Sequence, residues 1–205
     1  MLIQIHPEDP QPRHIRTVVE CLQKGGIIIY PTDTLYGIGC DIYNADAIAR
    51  IAKIKNIDIK KAQFSFICSD LSHLSDYARS VDTPIFRLLK AALPGPYTFI
   101  LEASRQVPKQ LKTKKDTVGI RVPDNKICHH LVKELGHPLM SASLPIDNDV
   151  EYYTDPELIY ERFGKLVDIV IDGGIGGIVA STVIDCTGVP ELVREGAGEW
   201  EKLIG

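Results

Sequence analysis

No stretch of the 205-residue chain approaches the ~20 consecutive apolar residues that a bilayer-spanning helix requires. The N-terminus, Met1 to Arg13, is too polar and too proline-rich for the apolar segment of a secretory signal. Export and membrane insertion are therefore not expected, and the expected location is cytoplasmic. Cysteine pairs at metal or redox spacing are also missing: Cys21, Cys40, Cys68, Cys128 and Cys186 are scattered with no Cys-x-x-Cys. Each lies in or beside an apolar stretch and reads as a reduced core residue. Nor is there an excess of positive charge. Against 27 Asp and Glu stand 23 Lys and Arg, a net charge of −4, so a polyanion would have to be met by a local basic patch.

The usual signatures of covalent and cofactor chemistry are absent too. There is no nucleophile elbow and no Ser-His-Asp order. Asp172-Gly173-Gly174-Ile175-Gly176-Gly177 is glycine-rich, yet neither a helix signature nor a Lys-Ser/Thr follows it. It is neither a dinucleotide fingerprint nor a P-loop, and reads as a turn with phosphate contact as the alternative. His129 and His130 have only Cys128 near them and project to different sides of a helix, so no metal centre is expected. His73 and His137 have no recognisable partner.

What is present suits one core. With 44% hydrophobic and 24% charged residues and no internal repeat, a single domain over residues 1–205 is expected. Helical spacing runs through Ile15, Val18, Val19 and Leu22 before Gly25-Gly26, through Ile48, Ile51 and Ala52, and through Ile127, Leu131, Val132 and Leu135 before Gly136. Asp70 is an N-cap candidate for a helix to Arg79, Thr83-Pro84 opens one to Ala92, and Asp155-Pro156 starts another. Strands are expected at 27–30, 63–68, 97–103, 117–122, 138–143, 167–171, 181–186 and 192–194. Because the alternation is irregular, the expected fold is α/β with a twisted mixed sheet and flanking helices. The acidic stretch 146–154 is expected to be loose.

Thr32-Asp33-Thr34-Leu35-Tyr36-Gly37 follows a buried strand, where open sheets bind ligands. Two readings stand side by side: a ligand site, or a turn closed by its own hydroxyls. Lys53, Lys55, Lys60 and Lys61 form one basic cluster; Lys109, Lys112, Lys114 and Lys115 form another that reads as solvated surface. Arg121, in the apolar frame Gly119-Ile120-Arg121-Val122-Pro123, must be paired or must face a ligand, because burying its charge alone is costly.

Taken in order, Pro31-Thr32-Asp33-Thr34-x-Tyr36-Gly37, Pro94-Gly95-Pro96-Tyr97-Thr98, Val118 to Pro123, Ser181-Thr182-Val183-Ile184-Asp185 and Arg194-Glu195-Gly196 resemble the YrdC/YciO family over nearly the whole chain. The resemblance implies a YrdC/RibB-like fold with a large concave basic cavity that binds ATP and RNA, whether tRNA or double-stranded RNA. YrdC-type members are L-threonylcarbamoyl-AMP synthases, a nucleotidyltransferase activity. They join threonine and bicarbonate into a carbamate that attacks the α-phosphate of ATP, normally with Mg²⁺, and a partner moves the product to tRNA. Such a site needs no covalent nucleophile. Carried over by position, Thr34, Tyr36, Arg121 and Ser143 fall in the substrate-binding set. Lys55, Lys61, Ser181 and Arg194 fall in the nucleotide-binding set.

Two departures distinguish this chain. Where synthases have Lys-x-Arg it has Lys55-Asn56-Ile57, and where they have Thr-Ser-Ala-Asn it has Ala142-Ser143-Leu144-Pro145. Both resemble the YciO branch. The resemblance also implies that the extra C-terminal domain of longer members is lacking after Arg194.

Overall fold

The computed structural model describes residues 1–59, 64–111, 116–144 and 150–204. In chain order the strands are β1 (Leu2–Gln4), β2 (Ile28–Tyr30), β3 (Gly37–Asp41), β4 (Ser65–Ile67), β5 (Tyr97–Glu102), β6 (Thr117–Arg121), β7 (Leu139–Ser143), β8 (Ile169–Asp172), β9 (Thr182–Asp185) and β10 (Glu191–Arg194). The helices are α1 (Pro12–Gln23), α2 (Ala45–Ile54), α3 (Leu74–Tyr77), α4 (Thr83–Ala92), α5 (Lys126–Leu135), α6 (Glu151–Thr154), α7 (Pro156–Phe163) and α8 (Glu201–Ile204). One mixed sheet takes in these strands in the order β1-β8-β2-β3-β7-β4-β6-β5-β9-β10. Among the described residues no helix is long and apolar enough to cross a membrane.

The period-2 alternation of the strands divides the core in two. Ile28, Tyr30, Ile67, Leu139, Ile169 and Ile171 point to one face and meet Ile15, Val18, Val19 and Leu22 of α1 with Ile127, Leu131 and Val132 of α5. Ile29, Ile38, Phe66, Phe99, Ile120, Met140 and Val170 point to the other and meet α2, α3, α4 and α7. Helix ends follow local chemistry. Asn44 and Asn125 accept from Ala47 N and Cys128 N, and Gly136 closes α5 at φ 83°.

Several expectations need correction. The strand β3 was not foreseen, because glycines alternate with Ile38 and Cys40 and glycine is a poor strand former. Their reason is steric: a Cβ on Gly39 would lie 2.6 Å from the Met140 carbonyl and 3.0 Å from the Tyr30 ring. The helix expected from Asp70 to Arg79 is only the single turn α3. Asp70 instead turns the chain locally by accepting from Ser72 N at 2.7 Å. The cap of α4 is Asp82, which accepts from Ile85 N, rather than Thr83. In the stretch expected to be loose, residues 146–149 lie outside the described residues, whereas Glu151–Thr154 is a helical turn that buries Tyr153. Of the five cysteines, Cys40, Cys128 and Cys186 are buried, Cys21 and Cys68 are partly exposed, and none is in a disulfide.

Candidate functional site

Helices α1 and α5 cover only part of their face of the sheet. Beyond Ile67 and Leu139 the same face continues with Ser65 opposite both Gly119 and Ser141, Gly119 opposite Ile100, Thr98 opposite Val183, and Val183 opposite Arg194. Hydroxyls and glycine replace the large apolar side chains there, and a cavity of about 160 Å³ results, bounded also by Tyr36, Thr117, Arg121, Ser143 and Ser181. Lys61 lies outside the described residues, as do Lys60, Lys112, Lys114, Lys115 and Pro145.

Arg121 ends β6 at the cavity and is 8% exposed. Its Nη2 donates to Asp33 Oδ1 at 2.6 Å, Thr34 Oγ1 at 2.5 Å and Thr32 Oγ1 at 3.2 Å. The Thr-Asp-Thr loop closes itself as well: Thr32 Oγ1 accepts from Thr34 N and donates to the Leu35 carbonyl. The turn reading holds: a self-capped turn presents three acceptors to a buried guanidinium. Asp33 Oδ2 accepts from Asp124 N at 3.1 Å, so the carboxylate is held on both oxygens. Arg121 Nε is buried with no partner, although such donors are nearly always satisfied.

Arg194 reaches the same cavity from β10 and donates through Nη2 to Ser181 O at 2.7 Å and Ser181 Oγ at 3.4 Å. Ser181 Oγ is 2.8 Å from Thr98 Oγ1. Burial, and secondarily the positive charge of Arg121, push the Arg194 pKa down. Two guanidiniums thus share one hydroxyl-lined cavity, and only Arg121 is paired with a carboxylate, that of Asp33. An anionic group placed there would relieve their repulsion and satisfy the orphaned Nε.

Lys55, at the C-terminus of α2, donates from Nζ to the Ser143 carbonyl at the cavity rim. Burial lowers its pKa from 10.5, which means folding disfavours its charged form. That penalty is full at neutral pH and vanishes as pH rises through 10.5. Lys55→Met should therefore raise the melting midpoint at pH 7 slightly, the gain being offset by solvent exposure and the lost hydrogen bond. The gain should shrink in melts run at high pH, and a gain that grew with pH would contradict this account.

The structure brings Tyr36, Arg121, Ser143, Ser181 and Arg194 to the cavity, with Thr34 behind Arg121 and Lys55 behind Ser143. The Tyr36 hydroxyl is already engaged, donating to Gly174 O at 2.7 Å and accepting from Gly173 N at 3.3 Å. The glycine-rich loop is likewise committed to the protein. Gly177 N donates to Thr34 O and Gly176 N to Thr154 O, both at 2.8 Å, so these amides are not a phosphate cradle. Gly177 is required by the close approach, since a Cβ there would stand 2.5 Å from Thr34 O. His73 and His137 do have partners, Asp76 at 3.2 Å and Asp41 at 3.6 Å. Sequence reasoning missed Ser65, Thr98, Thr117 and Ser141. The alternation Thr117-x-Gly119-x-Arg121 carried the signal, because it places three non-apolar residues on one face of a buried strand.

The Sua5/YciO/YrdC family model, described as telomere recombination, matches residues 20–196. The uncharacterized protein YciO of Escherichia coli is 44% identical over 98% of this chain and 97% of its own length. Its crystal structure superposes with a TM-score of 0.91 over 97% of each chain. A threonylcarbamoyl-AMP synthase of Coxiella burnetii is 30% identical over 91% of this chain and 99% of its own length. The structure of P. abyssi Sua5 complexed with L-threonine is 28% identical, has a TM-score of 0.90, and is matched over 100% of this chain and 61% of that one.

Proposed function

The chain belongs to the Sua5/YciO/YrdC family, and from that premise we propose that its cavity binds L-threonine and supports threonylcarbamoyl-AMP formation from ATP, threonine and bicarbonate for tRNA threonylcarbamoyladenosine. The observation that carries this reading is the Arg121–Arg194 pair over a floor of hydroxyls, in a volume of about 160 Å³. Such a volume suits a small polar amino acid rather than a nucleotide, so ATP would lie across the mouth, towards Lys55 and Ser143. Arg121 and Arg194 would hold anionic oxygens, and Thr98, Ser141 and Ser181 would orient hydroxyl and carbonyl groups. The threonine amine adds to bicarbonate with loss of water, and a carbamate oxygen then attacks the α-phosphate as pyrophosphate leaves. The protein's contribution is positioning and charge neutralisation. Mg²⁺ would arrive with the triphosphate as part of the substrate. Among the described residues no three His, Cys, Asp or Glu side chains stand where they could hold a metal. The whole chain would act as one YrdC-like domain in the cytoplasm, where ATP and tRNA are.

A second reading rests on the two departures. Ile57, 38% exposed, stands where the synthase pattern has arginine, and Ala142 stands where it has the first threonine, while Pro145, in place of the asparagine, lies outside the described residues. The loss of that guanidinium, hydroxyl and amide favours a YciO-type protein that binds a nucleotide or RNA with weak or no synthase activity. Pyrophosphate release from ATP separates the two, with threonine and bicarbonate each supplied or withheld. Release that needs both is the expected result; none, with ATP or RNA still bound, supports the second reading.

A further inference from the structure

β10 is the last strand in the sheet order, and no described strand pairs with its outer side. Edge strands of monomers are normally blunted by proline, bulges or a covering segment. β10 is four residues long, follows Pro190 and carries a register shift, yet Leu192 is 39% exposed, Val193 58% and the preceding Val189 83%.

Glu191 pairs with Asp185 and Arg194 with Val183, the register shifting between Leu192 and Arg194. Asp185 and Val183 are two residues apart, so they share a face, and Val183 lines the cavity. The shift therefore places Glu191 and Arg194 on the cavity face together, three residues apart. Among the described residues neither has an opposite charge as partner. Glu191 faces Asp185 across the ladder, a like-charge pair that is unfavourable, and no described carboxylate pairs with Arg194.

We propose that a second copy of this chain docks on β10, antiparallel and about a two-fold axis normal to the sheet. With the axis between Leu192 and Val193, each Glu191 meets the other copy's Arg194 and each Leu192 meets the other copy's Val193. Glu-Leu-Val-Arg is complementary to itself only in this sense; a parallel pairing sets glutamate on glutamate. The two cavities then open on the same face of one continuous sheet, with Glu191 of the second copy at the rim of the first copy's cavity. The shared strand is short, so the association is weak and salt-sensitive.

Sedimentation equilibrium of the full chain over a concentration series tests this. A reversible dimer weakened by added salt is expected. Glu191→Arg, which sets guanidinium against guanidinium twice, should weaken it about tenfold. Glu191→Arg combined with Arg194→Glu restores complementarity and should restore the dimer. Val193→Lys should abolish it by placing charge on the axis, with circular dichroism checking that each variant is folded. A protein that stays monomeric throughout, or a dimer indifferent to Glu191→Arg and Val193→Lys in their folded forms, overturns the proposal.

Discussion

Arg121→Ala should destabilise the protein by about 3–5 kcal/mol, because it leaves a carboxylate stranded where water scarcely reaches. The side chains of Arg121 and Asp33 are 10% and 9% exposed, and Asp33, Thr32 and Thr34 all turn acceptors towards the same Nη2. On a chain of this length the melting midpoint should fall by roughly 10 °C. From sequence alone the same substitution would be expected to weaken nucleotide or RNA binding and leave the fold intact. The structure changes that expectation, since Arg121 holds the Thr-Asp-Thr loop as well as facing the cavity. A double-mutant cycle with Asp33→Ala separates the roles. Removing both charges should cost less than removing the arginine alone. If the single variant melts with the native protein, Asp33 is not a buried counter-charge and this view of the site fails.

Gly119→Val should reduce L-threonine affinity by about 100-fold, equivalent to about 3 kcal/mol, with only a small change in stability. Gly119 lies on the cavity floor, where an added Cβ would meet Ser65 Cβ at 3.3 Å and Thr98 Cγ2 at 3.5 Å. The first carbon therefore fits tightly, and the two further methyls of valine must project into the space assigned to the ligand. β-Branched residues are at home in a strand, so the fold should survive. Gly119→Ala should give an intermediate loss. Titration calorimetry on the folded variants decides the matter: affinity unchanged by valine would mean that threonine binds elsewhere.

The long amphipathic helices were legible because four or more apolar side chains recur at helical spacing and a cap or glycine marks the end, as in α1 and α5. Strands built from isoleucine and valine were legible as well. β1 was not, being three residues long and paired, among the described strands, with β8 alone. β3 was hidden because its glycines exist to admit the Tyr30 ring, a tertiary demand that no local pattern announces. The site was half visible. Motif residues pointed to Arg121, Ser181 and Arg194, whereas Ser65 and Ser141 are ordinary serines until the register sets them opposite one another. The difference between Tyr36 as a ligand contact and Tyr36 as the anchor of Gly174 depends on a partner 138 residues away.

The position of β8 bears on how the protein is made. It lies between β1 and β2 and pairs in parallel with both, so the first two strands to leave the ribosome have no shared neighbour until residues 169–172 emerge. Until then the nascent chain must carry Ile28 and Ile29 with one backbone edge open to any passing strand. Nucleation from the amino end is therefore incomplete, and the last fifth of the polypeptide acts as the keystone for the first strands. Synthesis arrested before that point yields a chain that cannot assemble its opening strands, however well its helices have formed.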